Sequence, residues 1–361
     1  MLETLDRLGN PSSLHAEGRA AARIRDLART QVAALAECRP EEVVFTSSGT
    51  EANAWALTGL AEASSGRGKH LVISAVEHLS ILQTARRMEK TGWKVTLLAV
   101  DRHGRIDPGV LEKALTPETA LVSIQWANAE VGTLQPIKEI VRLVKSRGIL
   151  IHADGVAAAG QVPVNLQRVP VDALSLAAHP WGGPPGIGAL ILRKGVRLAP
   201  LFVGGTQEEG RRAGTEDLMG IVGMGRAAEV TAKEIGSFSG RITPLRDRLI
   251  RGILEDVKEA TIHGHPTERL PGHVSFSVPG VDAESLVLAL DMQGVAVGVG
   301  SACTSLAQKA SHVLKAMGIE ESLARGAVTC TMGLRTTDLE LARMRELLPQ
   351  AAARLREVSV R

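Results

Sequence analysis

Apolar positions along the chain fall into short blocks that switch between helical spacing and the denser runs of buried strands. The switching is regular for the first two-thirds of the 361 residues. An Ala/Arg-rich stretch reaching residue 36 reads as a helix capped by Ser12 or Ser13. Apolar runs at 42–46, 71–75, 95–100, 120–125 and 149–152 read as strands. Helices are expected at 79–90, 107–115 and 137–147, with another opening at Gly49 or Thr50. Such alternation predicts a mainly parallel sheet with helices on both faces. A further helix is expected over 218–235. The pattern then changes at Gly236-Ser-Phe-Ser-Gly240, which leads to a helix at 244–257, strands at 260–263 and 273–278, and helices at 283–290, 307–317 and 339–355. The expected division is a large α/β domain over 9–238 and a smaller α+β domain over 239–361.

Charge narrows the partners. Forty-two basic against 39 acidic residues leave a net charge of +3, and no Lys/Arg block supplies the electrostatic footprint of a nucleic-acid binder. No apolar run approaches the ~20 residues of a membrane span. The N-terminus is charged from its third residue and has no signal-peptide core. A cytoplasmic protein with neither nucleic-acid nor membrane partners is the expectation. Cys38, Cys303 and Cys330 are too few for a disulfide framework and suit a reducing compartment. Tyrosine is absent and there are 4 phenylalanines, so the core must be aliphatic.

Five motifs carry candidate chemistry. Thr46-Ser47-Ser48-Gly49-Thr50-Glu51-Ala52-Asn53 lies between a strand and a helix, where backbone N–H groups can receive a phosphate. Alone, such a turn is an ordinary cap. Glu77-His78 and Ile151-His152-Ala153-Asp154 end strands, and Gly204-Gly205-Thr206-Gln207-Glu208-Glu209-Gly210-Arg211-Arg212-Ala213-Gly214-Thr215 is too long for a casual helix entry. Gly300-Ser301-Ala302-Cys303-Thr304-Ser305 presents a thiol among small neighbours, where access favours reactivity. In this order, with His179-Pro180-Trp181 between them, these motifs resemble the NifS/IscS cysteine desulfurases from about residue 9 to residue 340.

That resemblance implies the class V aminotransferase architecture, PLP-transferase fold type I. It has a mainly parallel seven-stranded-type sheet and a small α+β C-terminal domain. It also implies a pocket for pyridoxal phosphate (PLP) at Gly49, Thr50, His78, Asp154 and His179. Thr215 would reach the phosphate of the partner subunit in a homodimer, and Cys303 would carry sulfur as a persulfide. Departures cluster on chemistry. Pro180 stands in place of the lysine that forms the Schiff base, and proline has no amine to offer. Ala177, Ala157 and Ala129 replace a serine, a glutamine and an asparagine that contact the cofactor. Thr329 replaces the arginine that forks onto the substrate carboxylate. The family's first strand, with its Asp-Asn-Asn-Ala-Thr-Thr-like motif, has no counterpart.

Together these losses predict absent or weak PLP binding by a vestigial pocket. The leading expectation is a desulfurase homologue that has lost PLP-dependent desulfuration and keeps a sulfur-carrier or Fe–S or thiolation role through Cys303. One alternative is a non-catalytic partner of an active desulfurase paralogue; another is a PLP enzyme with residual activity and His179 as its base. Expected partners include an Fe–S scaffold or a thiolation protein. Cys330 has three readings: a core residue, a second thiol in a relay with Cys303, or a companion to Cys303 in ligating a metal or Fe–S cluster. No CxxC spacing supports the last.

Overall fold

The computed structural model describes residues 1, 9–300 and 310–359, so Cys303 lies outside the described residues. The chain divides into two units. The first comprises Met1–Leu98, Pro108–Trp126 and Pro136–Gly236; the second comprises Ala99–Asp107, Ala127–Gln135 and Ser237–Arg361. The second unit is thus assembled from three stretches of chain.

A seven-stranded sheet forms the first unit, in the order β1-β7-β6-β5-β4-β2-β3. Its strands are β1 Val43–Thr46, β2 His70–Ser74, β3 Lys94–Leu98, β4 Thr119–Ser123, β5 Leu150–Asp154, β6 Ala173–Ala177 and β7 Gly188–Leu192. Parallel pairing joins β3, β2, β4, β5 and β6. Because β7 is antiparallel to both β6 and β1, β1 runs in the same direction as β6. Six of the seven strands therefore end at the same edge of the sheet. Strands such as β6 and β7 are buried along their whole length, which explains their continuous apolar composition. Neither was among the strands expected from periodicity.

Helix boundaries follow local chemistry. The Ala16–Ala36 helix is capped by His15, whose Nδ1 accepts from Gly18 N at 3.2 Å, and not by Ser12 or Ser13. Ser48 caps the Gly49–Ala63 helix by accepting from Glu51 N at 3.1 Å. Ser48→Ala should lower the stability of the first unit by about 1 kcal/mol, read as a shift in its thermal or urea midpoint. No change at all would mean that Ser47 supplies the cap.

In the second unit, β8 Thr261–His263, β9 His273–Ser277, β10 Gly298–Val299 and β11 Ala327–Thr331 form an antiparallel sheet in the order β10-β11-β9-β8. The expected break at 236–240 is absent: one helix runs from Leu218 to Asp256, through both glycines and Pro244. Phe238, Ile242, Leu245, Leu249 and Ile253 repeat at helical spacing and enter the core cluster with Phe276 and Val328. That burial outweighs the roughly 1 kcal/mol helix penalty of each glycine. No described helix is long and apolar enough to cross a membrane.

Candidate functional site

Loops beyond the carboxyl ends of parallel strands are where open α/β sheets bind ligands. Here that edge gathers the Ser47–Thr50 turn after β1, Glu77 and His78 after β2, Gln125 after β4, Asp154 at the end of β5, and His179-Pro180 after β6. A hydrogen-bonded chain connects several of them. His78 Nδ1 lies 2.8 Å from Ser80 Oγ. Asn53 donates through Nδ2 to Ser80 Oγ at 3.0 Å and to Asp154 Oδ2 at 2.7 Å. The N–H of Val156 donates to the other Asp154 oxygen at 3.0 Å. Burial pushes the Asp154 carboxyl up, while the Val156 N–H, the Asn53 amide and His78 pull it down.

Glu77 lies beneath this chain, fully buried. Its Oε1 accepts from Gln125 N at 2.9 Å, and Gln125 Nε2 donates to Val76 O at 2.9 Å. Burial holds the Glu77 carboxyl well above its usual range. His152 sits between Ser123 Oγ at 2.8 Å and Ser175 Oγ at 2.9 Å, with its pKa pushed down to about 3 by burial. It is a neutral cross-strand tie. Asn53 and Ser80 have no role in the sequence reading, because contacts across 101 and 27 positions leave no local signature.

His179 and Pro180 are exposed in a short 3-10 turn, His179–Trp181. Proline suits the turn's start, where its missing N–H deprives nothing of a partner. Thr215 is exposed too, on a loop tied down by three ion pairs. Arg29 grips Glu208 with both nitrogens at 2.7 and 2.8 Å, Arg212 reaches Glu51 at 3.0 Å, and Arg25 reaches Glu216 at 2.9 Å. Glu208 and Glu209 both have left-handed backbones, with φ of 50° and 59°, and such strain persists only where the surroundings impose it. Glu51 is held below the usual carboxylate range: burial opposes this, and Arg212 and Ser47 outweigh it.

In the second unit, Thr329 lies on β11 and donates through Oγ1 to Glu130 O at 3.3 Å, while His273 Nε2 meets the same oxygen at 2.9 Å. Ala129 is exposed. Cys330 is packed in the apolar cluster, and burial pushes its thiol up to about 12. A protonated core thiol is the plainest of its three readings. Cys330 should stay unlabelled by a thiol reagent at pH 8 until denaturant is added, as read by peptide mass; rapid labelling of Cys330 itself in the native protein would contradict its burial. Among the described residues, no group of three or more His, Cys, Asp or Glu side chains is placed to hold a metal ion.

PLP can be tested against the first unit alone. A protonated ring nitrogen finds an acceptor in Asp154, and the first turn of the Gly49–Ala63 helix faces the same edge. The aldehyde finds no amine at residue 180. Residue 180 itself therefore offers no attachment point for the aldehyde.

The chain matches the family described as Aminotransferase class-V over residues 2–337. It is 42% identical to "Cysteine desulfurase IscS" of Dictyoglomus turgidum over 98% of this chain and 90% of that protein. It is 41% identical to "Cysteine desulfurase IscS 1" of Archaeoglobus fulgidus over 98% and 92%. A solved structure named "NIFS-LIKE PROTEIN" superposes with a TM-score of 0.88 at 33% identity, covering 98% of this chain and 92% of that one.

Proposed function

This chain belongs to the aminotransferase class-V family and, within it, to the IscS/NifS cysteine desulfurases, and on that premise we propose that it works in sulfur transfer from cysteine. Cys303 is the proposed carrier, as a persulfide. The observation that shapes the proposal is Pro180: the turn after β6 has no amine to hold PLP covalently. The sulfur on Cys303 then comes from a separate desulfurase, and an Fe–S scaffold or a thiolation protein receives it. The exposed Leu201, Phe202 and Val203, just before the loop that carries Thr215, support assembly as a homodimer. A cytoplasmic location is part of the same proposal, as is any metal or cluster held by Cys303.

A second reading has its own support. Identity of 41–42% over 98% of the chain to named cysteine desulfurases favours an enzyme that still releases sulfur from cysteine itself. One pair of measurements separates the two. The protein alone, with PLP, cysteine and a thiol reductant, should release no sulfide above a protein-free control. Mixed with an active desulfurase and cysteine, it should gain one sulfur atom on Cys303 by intact mass spectrometry. Sustained sulfide release by the protein alone establishes the second reading; failure of Cys303 to gain sulfur ends the first.

A further inference from the structure

Glu130 is buried on the Ala127–Gln135 stretch of the second unit, and its backbone is held from several sides. Asn128 Oδ1 accepts from the N–H groups of Glu130 and Val131, at 2.9 Å each. The Glu130 carbonyl meets His273 Nε2 on β9 and the Thr329 hydroxyl on β11. With the backbone fixed there, the side chain reaches Ser311, whose hydroxyl donates to Glu130 Oε2. Ser311 is buried too, and it caps the His312–Ala316 helix by accepting from Val313 N at 3.1 Å and Leu314 N at 3.2 Å. Gly300 comes to the same place. Its N–H donates to Ala327 O at 3.3 Å, and a Cβ built on it would stand 3.6 Å from Glu130 Oε2 and 4.0 Å from Ser311 Cβ.

Gly300 and Ser311 stand on either side of Cys303 in the chain, and one carboxylate lies against both. We infer that Glu130 is a positioning residue for the Cys303 thiol. Its carboxylate fastens Ser311 beside Gly300, so the stretch that carries Cys303 starts and ends at one fixed point. The inference rests on the reading of Cys303 as a sulfur carrier and adds the group that holds the thiol's tether. A hydrogen bond to a carboxylate between buried groups is strong enough to impose one geometry. Joining the ends of a short stretch confines its middle and raises the local concentration of the thiol against a docked partner. A confined thiol is also met from fewer directions, so a small reagent reaches it more slowly than it reaches a released one.

Alkylation of Cys303 by N-ethylmaleimide at pH 8, read by peptide mass on the native protein, tests the fastening without a donor enzyme. Glu130→Ala and Ser311→Ala should each speed it about tenfold, the effect of losing a hydrogen bond to a charged group. The double variant should match either single one, because both remove the same bond. Glu130→Gln and Ser311→Thr keep an acceptor and a hydroxyl and should bring the rate back. Cys330 should stay unlabelled throughout, which separates release of the thiol from unfolding of the second unit. Sulfur gain from an active desulfurase and cysteine should slow about tenfold in Glu130→Ala, opposite in sign to the alkylation. Unchanged or slower alkylation in the single variants, effects that add in the double variant, or labelling of Cys330 in both single variants overturns the inference. So does undiminished sulfur gain in Glu130→Ala. If the unaltered protein takes no sulfur, the sulfur-transfer reading falls, and the alkylation rates still decide this one.

Discussion

Replacing Pro180 with lysine should let the chain take up pyridoxal phosphate covalently, giving one borohydride-fixed adduct per polypeptide where the unaltered protein gains none. The site can accept the change. Residue 180 is exposed, and the turn from His179 to Trp181 is closed by the Trp181 and Gly183 N–H groups on Ala178 O at 3.2 and 3.0 Å, which do not involve the proline ring. On the proposed reading the Asp154–Asn53–Ser80–His78 hydrogen-bonded chain would seat the ring. Sulfide release should nevertheless stay at background. On the proposed reading Thr329 replaces the arginine that would hold a substrate carboxylate, and a threonine hydroxyl cannot make that bidentate pair. Intact mass and sulfide release are the two readouts. An adduct on the unaltered protein, or none on Pro180→Lys, overturns the assignment of residue 180.

Acid should unfold the protein well above the pH at which ordinary carboxylates protonate. His152 is pushed down to about 3, and His263 and His273 to about 4, each chiefly by burial. All three are depressed below 6.5, so the native state favours the neutral ring. Their contribution is present above pH 6.5 and is lost as pH falls towards 4 and then 3. Each contributes a slope of about 1.4 kcal/mol per pH unit in that window. The first unit holds one such ring and the second holds two. The buried Glu77 works in the opposite sense, since its carboxyl is held up and low pH favours its native form. Urea midpoints measured from pH 7 to pH 4 should therefore fall steeply, and His152→Gln should flatten the slope for the first unit. Midpoints that hold steady down to pH 4.5 would show that these rings are not buried as neutral species.

How legible the fold was depended on which force set each element. The parallel strands and their helices could be read because period and apolarity agreed. The Leu218–Asp256 helix was misjudged because two glycines and a proline signal a stop locally. The stripe from Phe238 to Ile253 overrides them through a core formed by residues far along the chain. His15 caps its helix in place of the serines because an imidazole nitrogen serves as an acceptor as well as a hydroxyl does. At the site, motif order brought Gly49, Thr50, His78, Asp154 and His179 to one edge. Asn53, Ser80 and Glu77 lie within the same motifs, but that they position or underlie the others shows only once the strands are aligned.

The second unit draws on residues 99–107 and 127–135 as well as on the chain from 237 onward. During synthesis those two early segments leave the ribosome more than a hundred residues before the rest of their unit exists. A fragment beginning at residue 237 would therefore lack the turn that carries Glu130, whose carbonyl meets both His273 and Thr329.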